Sequence, residues 1–221
     1  MHKIDKQIYI FGYGSTSDQI LYVLNKQGLN VAGYIVDDTF QIKKENSAQD
    51  NIFTTQRFIE CLPTSHSNIS MHVAIGYAGL NQIRANKAEY FKSMNFNLIN
   101  IIDQNVSIKS VINPNTNCLI LSGTLIDVNC VIGSNVSIKS NVTISHDNVI
   151  GDNAFIANGV TTGGHVSIGK NSFVGLGSVV NDHIAIAENC FIGSGSVVNR
   201  DTESGYIYVG NPARKLRPIE K

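Results

Sequence analysis

A run of sixes dominates the second half of the chain. From Cys118 the sequence divides without a gap into CLILSG, TLIDVN, CVIGSN, VSIKSN, VTISHD, NVIGDN, AFIANG, VTTGGH, VSIGKN, SFVGLG, SVVNDH, IAIAEN, CFIGSG and SVVNRD. The third column of this array, from position 120 to position 198, is Ile or Val at 13 of 14 places, with Thr162 the exception. An ordinary α/β domain has no cause to hold such a register, whereas a stack of identical short units does. Each six therefore predicts a short strand and a corner, with the β-branched residue pointing into a shared core. If three sixes make a coil, residues 18 apart stack at the strand spacing of about 4.8 Å. The place after the core residue is Gly at 133, 151, 163, 169, 175 and 193. This predicts either positive φ or crowded backbone there. The first column is mostly small or β-branched, and it holds Cys118, Cys130 and Cys190. With no CxxC pair in the chain, the cysteines read as small buried side chains rather than as metal or redox groups.

Residues 1–100 read differently from residues 101–221. QIYIFG (7–12), LNVAGYIVDD (29–38) and MHVAIG (71–76) have strand character, and 17–27 and 81–94 have helical character. Alternating strands and helices predict a small parallel sheet of Rossmann type. Gly12-Tyr13-Gly14 follows the first strand, and Asp37 and Asp38 end the second, the places where such sheets hold nucleotides. Ser17 stands where a dinucleotide fingerprint needs its third Gly, which argues against NAD.

Lys plus Arg and Asp plus Glu number 17 each, so no basic excess points to nucleic acid or an acidic membrane. No apolar run approaches the roughly 20 residues of a membrane span, and no leader pattern opens the chain. A cytoplasmic protein is the expectation.

The solenoid offers three histidines. His146 lies two places beyond the inward Ile144, at a corner, and Asp147 follows it. An imidazole is suited to taking a proton from an amine or hydroxyl, and a carboxylate beside it orients the ring. The 18-residue step places Asp147, His165 and His183 in one column, so that Asp147 and His165 are expected to touch. The same step puts Gly164 beside His146, where its N–H could face a reacting thioester.

The V-x-I-G-x-N sixes, the ISHDNVIG segment, the terminal YVGNPARKL and the N-terminal IFGYGS, GYIVDD and AIGYAGLNQIR together resemble the bacterial hexapeptide-repeat sugar acetyltransferases. The similarity is to the sialic acid O-acetyltransferase-like subgroup, with the UDP-bacillosamine-precursor and GDP-perosamine N-acetyltransferases. The resemblance implies a left-handed parallel β-helix, a homotrimer with sites between neighbours, and acetyl-CoA as co-substrate without a metal. It makes His146 the base and Asp147 its carboxylate partner. It implies coenzyme contacts by Phe155, Gly164, His165 and Leu176, and substrate contacts by Gly12, Tyr13, Gly14, Asp37, Asp38 and Lys139. Two departures stand out: Phe155 replaces a His found in some relatives, and Lys139 replaces an Asn near the acceptor. The implied reaction is N-acetylation of a nucleotide-linked 4-amino-6-deoxy sugar. O-acetylation of a sialic acid-like sugar and a non-catalytic trimeric scaffold are the rival readings.

Overall fold

A computed structural model describes residues 7–41, 51–62, 68–77 and 79–220. The first strand, β1 (Gln7–Phe11), leads into α1 (Ser15–Lys26), followed by β2 (Val31–Val36), β3 (Ile52–Thr54), α2 (Thr55–Glu60), β4 (Ile69–Val73), α3 (Gln82–Ser93) and β5 (Asn97–Leu98). The five strands form one parallel sheet in the order β3-β2-β1-β4-β5. Every strand and helix expected in this region is present. The expectation lacked β3 and α2, because three- and six-residue elements leave too little periodicity to read.

α1 buries Ile20, Val23 and Leu24, spaced one turn apart, and the chain turns off it at Gly28 with φ of +70°. These residues pack with Ile101, Leu119 and Leu121 on the outside of the solenoid, so sheet and solenoid share a core. A second core, on Phe11, Ile35, Phe58, Met71 and Phe91, lies within the sheet unit.

From Ile101 the chain winds as three stacked faces of two-residue strands. One face carries 101–102, 119–120, 137–138, 155–156, 173–174 and 191–192 and ends with Tyr206–Val209 and Arg214–Pro218. The second carries 107–108 through 197–198, and the third 131–132 through 185–186. The pairing is parallel with an 18-residue step, as in Ile138 with Ile156 and Val174 with Ile192. The third column is the core, every member from Ile120 to Val198 being at most 4% exposed. The parallel faces fit the expected left-handed β-helix. Cys118, Cys130 and Cys190 are buried free thiols, and Cys61 is exposed.

The two options for the glycine column separate here. These glycines lack positive φ, and a Cβ on Gly151 would stand 2.7 Å from the Lys170 nitrogen of the next coil. Backbone crowding is the cause. The left-handed residues are instead the sixth column, from Gly123 to Gly195, with φ between 55° and 75°. Asn, Gly, Asp and His fill it, the residues that tolerate this region best. Where this column faces α3, Asn117, Asn135, Asn153, Asn171 and Asn189 form a side-chain ladder with steps of 2.7, 2.8, 3.0 and 3.0 Å.

Candidate active site

His146 and its neighbours sit on the corner between the second and third faces. Asp147, left-handed at φ 57°, turns its carboxylate back to His146, and Nδ1 and Oδ2 are 2.7 Å apart. The other carboxylate oxygen accepts from Asn129 Nδ2 at 3.1 Å. The hydrogen bond with His146, and then that from Asn129, hold the Asp147 pKa below the usual carboxylate range, so it is an anion near neutrality. An ionised oxygen at this distance requires a proton on Nδ1, which leaves the lone pair on Nε2. His165 Nε2 stands 3.8 Å from the same carboxylate, and the His165 ring stacks on His183 at 4.7 Å and 7°. The Asp147, His165 and His183 column is thus as the 18-residue step predicts. The ligand-capable atoms of His146, Asp147 and His165 all lie within 4.8 Å of one another, so this trio could also hold a metal ion.

Gly164 backs the ring. A Cβ at this position would stand 2.6 Å from Cε1 and 2.8 Å from Nε2 of His146, so only glycine leaves the imidazole its place. The expectation of a free Gly164 N–H is corrected: it donates to Asp182 Oδ1 at 2.7 Å. Sequence reasoning passed over Asp182 and Asn129, although 164 plus 18 and 147 minus 18 find them.

Phe155 and Lys139 lie elsewhere. Phe155 is 6% exposed, stacked on Phe173 at 5.4 Å and covered edge-on by Tyr77 at 5.6 Å. As a coenzyme contact it is corrected: it is part of the apolar seam by which the sheet unit packs on the first face. Lys139 is 8% exposed, with Nζ on Gln19 Oε1 at 3.0 Å and 5.6 Å over the Phe155 ring. Burial, and then Arg84, lower its pKa to about 8. As a substrate contact it too is corrected, because it is buried under the docked α1. Leu176 is 53% exposed at the corner after the first face. Within one chain, therefore, Lys139, Phe155 and Leu176 do not share a corner with His146.

In the sheet unit, Gly12, Tyr13 and Gly14 form the turn between β1 and α1. Gly12 has φ of +116°, and a Cβ there would meet the Ala74 carbonyl at 2.9 Å. Gly14 precedes α1; its N–H donates to Ser17 Oγ at 2.8 Å, and that hydroxyl donates back to the Gly14 carbonyl at 2.6 Å. Ser17 thus closes the turn. The Tyr13 ring packs edge-on to Tyr34. Asp37 is ion-paired with Lys87 of α3 and keeps about half its side chain exposed. Asp38 Oδ1 accepts the Gln56 N–H at 2.8 Å at the start of α2, and the residue stays exposed. No helix among the described residues is long and apolar enough to cross a membrane.

Residues 129–164 match the family model described as bacterial transferase hexapeptide (six repeats), and residues 165–200 match the hexapeptide repeat of succinyl-transferase. A search of curated proteins finds no match. Among solved structures, the chain is similar to PerB from Caulobacter crescentus in complex with CoA and GDP-perosamine. The identity is 20%, with 96% of this chain and 97% of that chain covered at a TM-score of 0.82. It is also similar to the acetyltransferase domain of PglB from Neisseria gonorrhoeae in complex with acetyl coenzyme A, at 20% identity, 96% and 100% coverage and a TM-score of 0.76. WeeI from Acinetobacter baumannii aligns at 18% identity, 95% and 99% coverage and a TM-score of 0.63. Residues 129–200 thus match hexapeptide-repeat models, and the chain shares the fold of these solved structures.

Proposed function

We propose that this protein transfers an acetyl group from acetyl-CoA to the amino group of a nucleotide-linked 4-amino-6-deoxy sugar. One observation carries the reading: His146 is held by an anionic Asp147 on one side and by the bare Cα of Gly164 on the other. The sheet of residues 1–100 acts as a Rossmann-like unit for the nucleotide sugar, and the β-helix of residues 101–221 binds the coenzyme. Its fold relatives support this, PerB being bound to CoA and GDP-perosamine and the PglB domain to acetyl coenzyme A.

In this mechanism His146 Nε2 takes a proton from the acceptor amine as its nitrogen attacks the thioester carbonyl. Asp147 stabilises the imidazolium that forms. The tetrahedral intermediate collapses with cleavage of the C–S bond, and the coenzyme A thiolate takes up the proton. With the base on one corner and Leu176 on another, a complete site is formed between protomers, most simply in a homotrimer. His146→Ala should lower turnover by about 10²–10⁴-fold while keeping coenzyme binding. Turnover within threefold of wild type sinks the assignment. If His165→Ala proves the more damaging, the base is His165 instead.

A further inference from the structure

Two inward positions of the solenoid break their columns, and both lie at the turn that carries His146. Asn148 is the one amide in the first column, and Thr162 is the one residue of the third column that is neither Ile nor Val. They are 0% and 1% exposed.

Other polar members of the first column are small. The hydroxyls of Thr124, Ser172 and Ser178 each donate to a carbonyl fifteen residues further on. Asn148 makes the same bond, from Nδ2 to the Gly163 carbonyl at 2.8 Å. It adds two within its own turn, to the carbonyls of Ser145 at 2.6 Å and His146 at 3.2 Å. Three carbonyl acceptors fix which end of the amide is nitrogen. The Oδ1 is left buried with no partner among the described residues, a cost that a serine would avoid.

Thr162 alters the ladder instead. The N–H groups of Asp127 and Gly163 donate to the core carbonyls of the next coil, those of Ile144 and Val180. Ser145 lies between them in the stack, yet its N–H goes to the Thr162 hydroxyl at 3.2 Å. The Ser145 hydroxyl in turn donates to the Thr162 carbonyl at 2.7 Å. Both devices act on the pieces that flank the imidazole. Asn148 holds the His146 carbonyl and one end of the Gly163–Gly164 peptide, whose N–H Asp182 holds at the other. Thr162 and Ser145 tie together the residues that come just before them.

We propose that Asn148 and Thr162 are positioning residues for His146. From within the core they set the gap between its turn and the Gly164 wall, at a cost in stability. The inference deepens the reading of His146 as the base and rests on it.

Asn148→Ser and Thr162→Val give each position a side chain its own column already carries, as at Ser172 and Ser178 and at Val174 and Val180. Both variants should fold, with melting temperatures at or above that of the unmodified protein. In each, kcat should fall about 5–50-fold while KM for acetyl-CoA stays within about twofold. The imidazole ¹⁵N signals of His146, assigned by their loss in His146→Ala, should shift in both variants, which reads the ring's placement without turnover. Unmoved signals overturn the proposal. So does a melting temperature that falls in step with kcat, because the two residues then serve packing alone. A kcat within about twofold of wild type, where His146→Ala is inactive, overturns it as well. If the signals shift while the variants and His146→Ala all keep full turnover, the base assignment falls and the positioning stands.

Discussion

Asp182 fixes the peptide of Gly164, and that peptide walls in the His146 ring. Gly164 has an ordinary negative-φ backbone, so alanine costs little conformationally and acts through its methyl alone. Gly164→Ala should displace the imidazole and lower kcat by about 10–100-fold, with the melting temperature close to wild type. Steady-state kinetics beside a melting curve read both. A fully active Gly164→Ala enzyme removes the base from this corner.

Asp37 keeps one side of its carboxylate open while Lys87 holds the other. Under the proposed function that oxygen accepts from a ribose hydroxyl or a base N–H. Asp37→Ala should weaken the nucleotide sugar by about 1–3 kcal/mol and leave acetyl-CoA affinity unchanged. Calorimetric titration of each ligand separates the two. Unaltered sugar affinity would move the lead to an O-acetyltransferase for a free sialic acid-like sugar.

Burial lowers the His72 pKa to about 4, against its ordinary value near 6.5. The folded state binds fewer protons than the unfolded chain between these values, so stability is full above pH 6.5 and is lost as pH falls to about 4. The loss attributable to this group is about 3 kcal/mol. Urea denaturation across this range should show it, and His72→Gln should flatten the slope. A wild-type curve as flat as that of the variant would contradict the assignment.

Val131 and Val149 stack on the third face at 58% and 48% exposure, an apolar strip on an open sheet. In the proposed trimer this strip is covered by a neighbour. Val149→Arg should yield monomers by light scattering at micromolar concentration and abolish turnover, with the monomer still folded. A trimeric variant would place the interface on another face.

The sixes were enough to derive the solenoid, because its contacts repeat every 18 residues. Adding or subtracting 18 places Asp147 against His165, Gly164 beside His146, and Asn129 under Asp147. The same arithmetic says nothing of the outer faces. Whether Phe155 and Lys139 meet a ligand or a protein surface is decided by Tyr77, Arg84 and Gln19, which the repeat does not reach. Asp38 has a local use that the sequence did not show: it accepts an N–H of a helix too short to read from periodicity.

The left-handed corner column leaves the chain a four-letter alphabet at each turn: Asn, Gly, Asp or His. One of those letters, His, is the side chain that exchanges a proton near neutrality, and another, Asp, is the anion that can orient it. Asp147, His165 and His183 therefore occupy positions where a chemically inert Asn would fit the backbone equally well. New chemistry can be written into this scaffold one corner at a time, by exchanges that the winding of the coil does not feel.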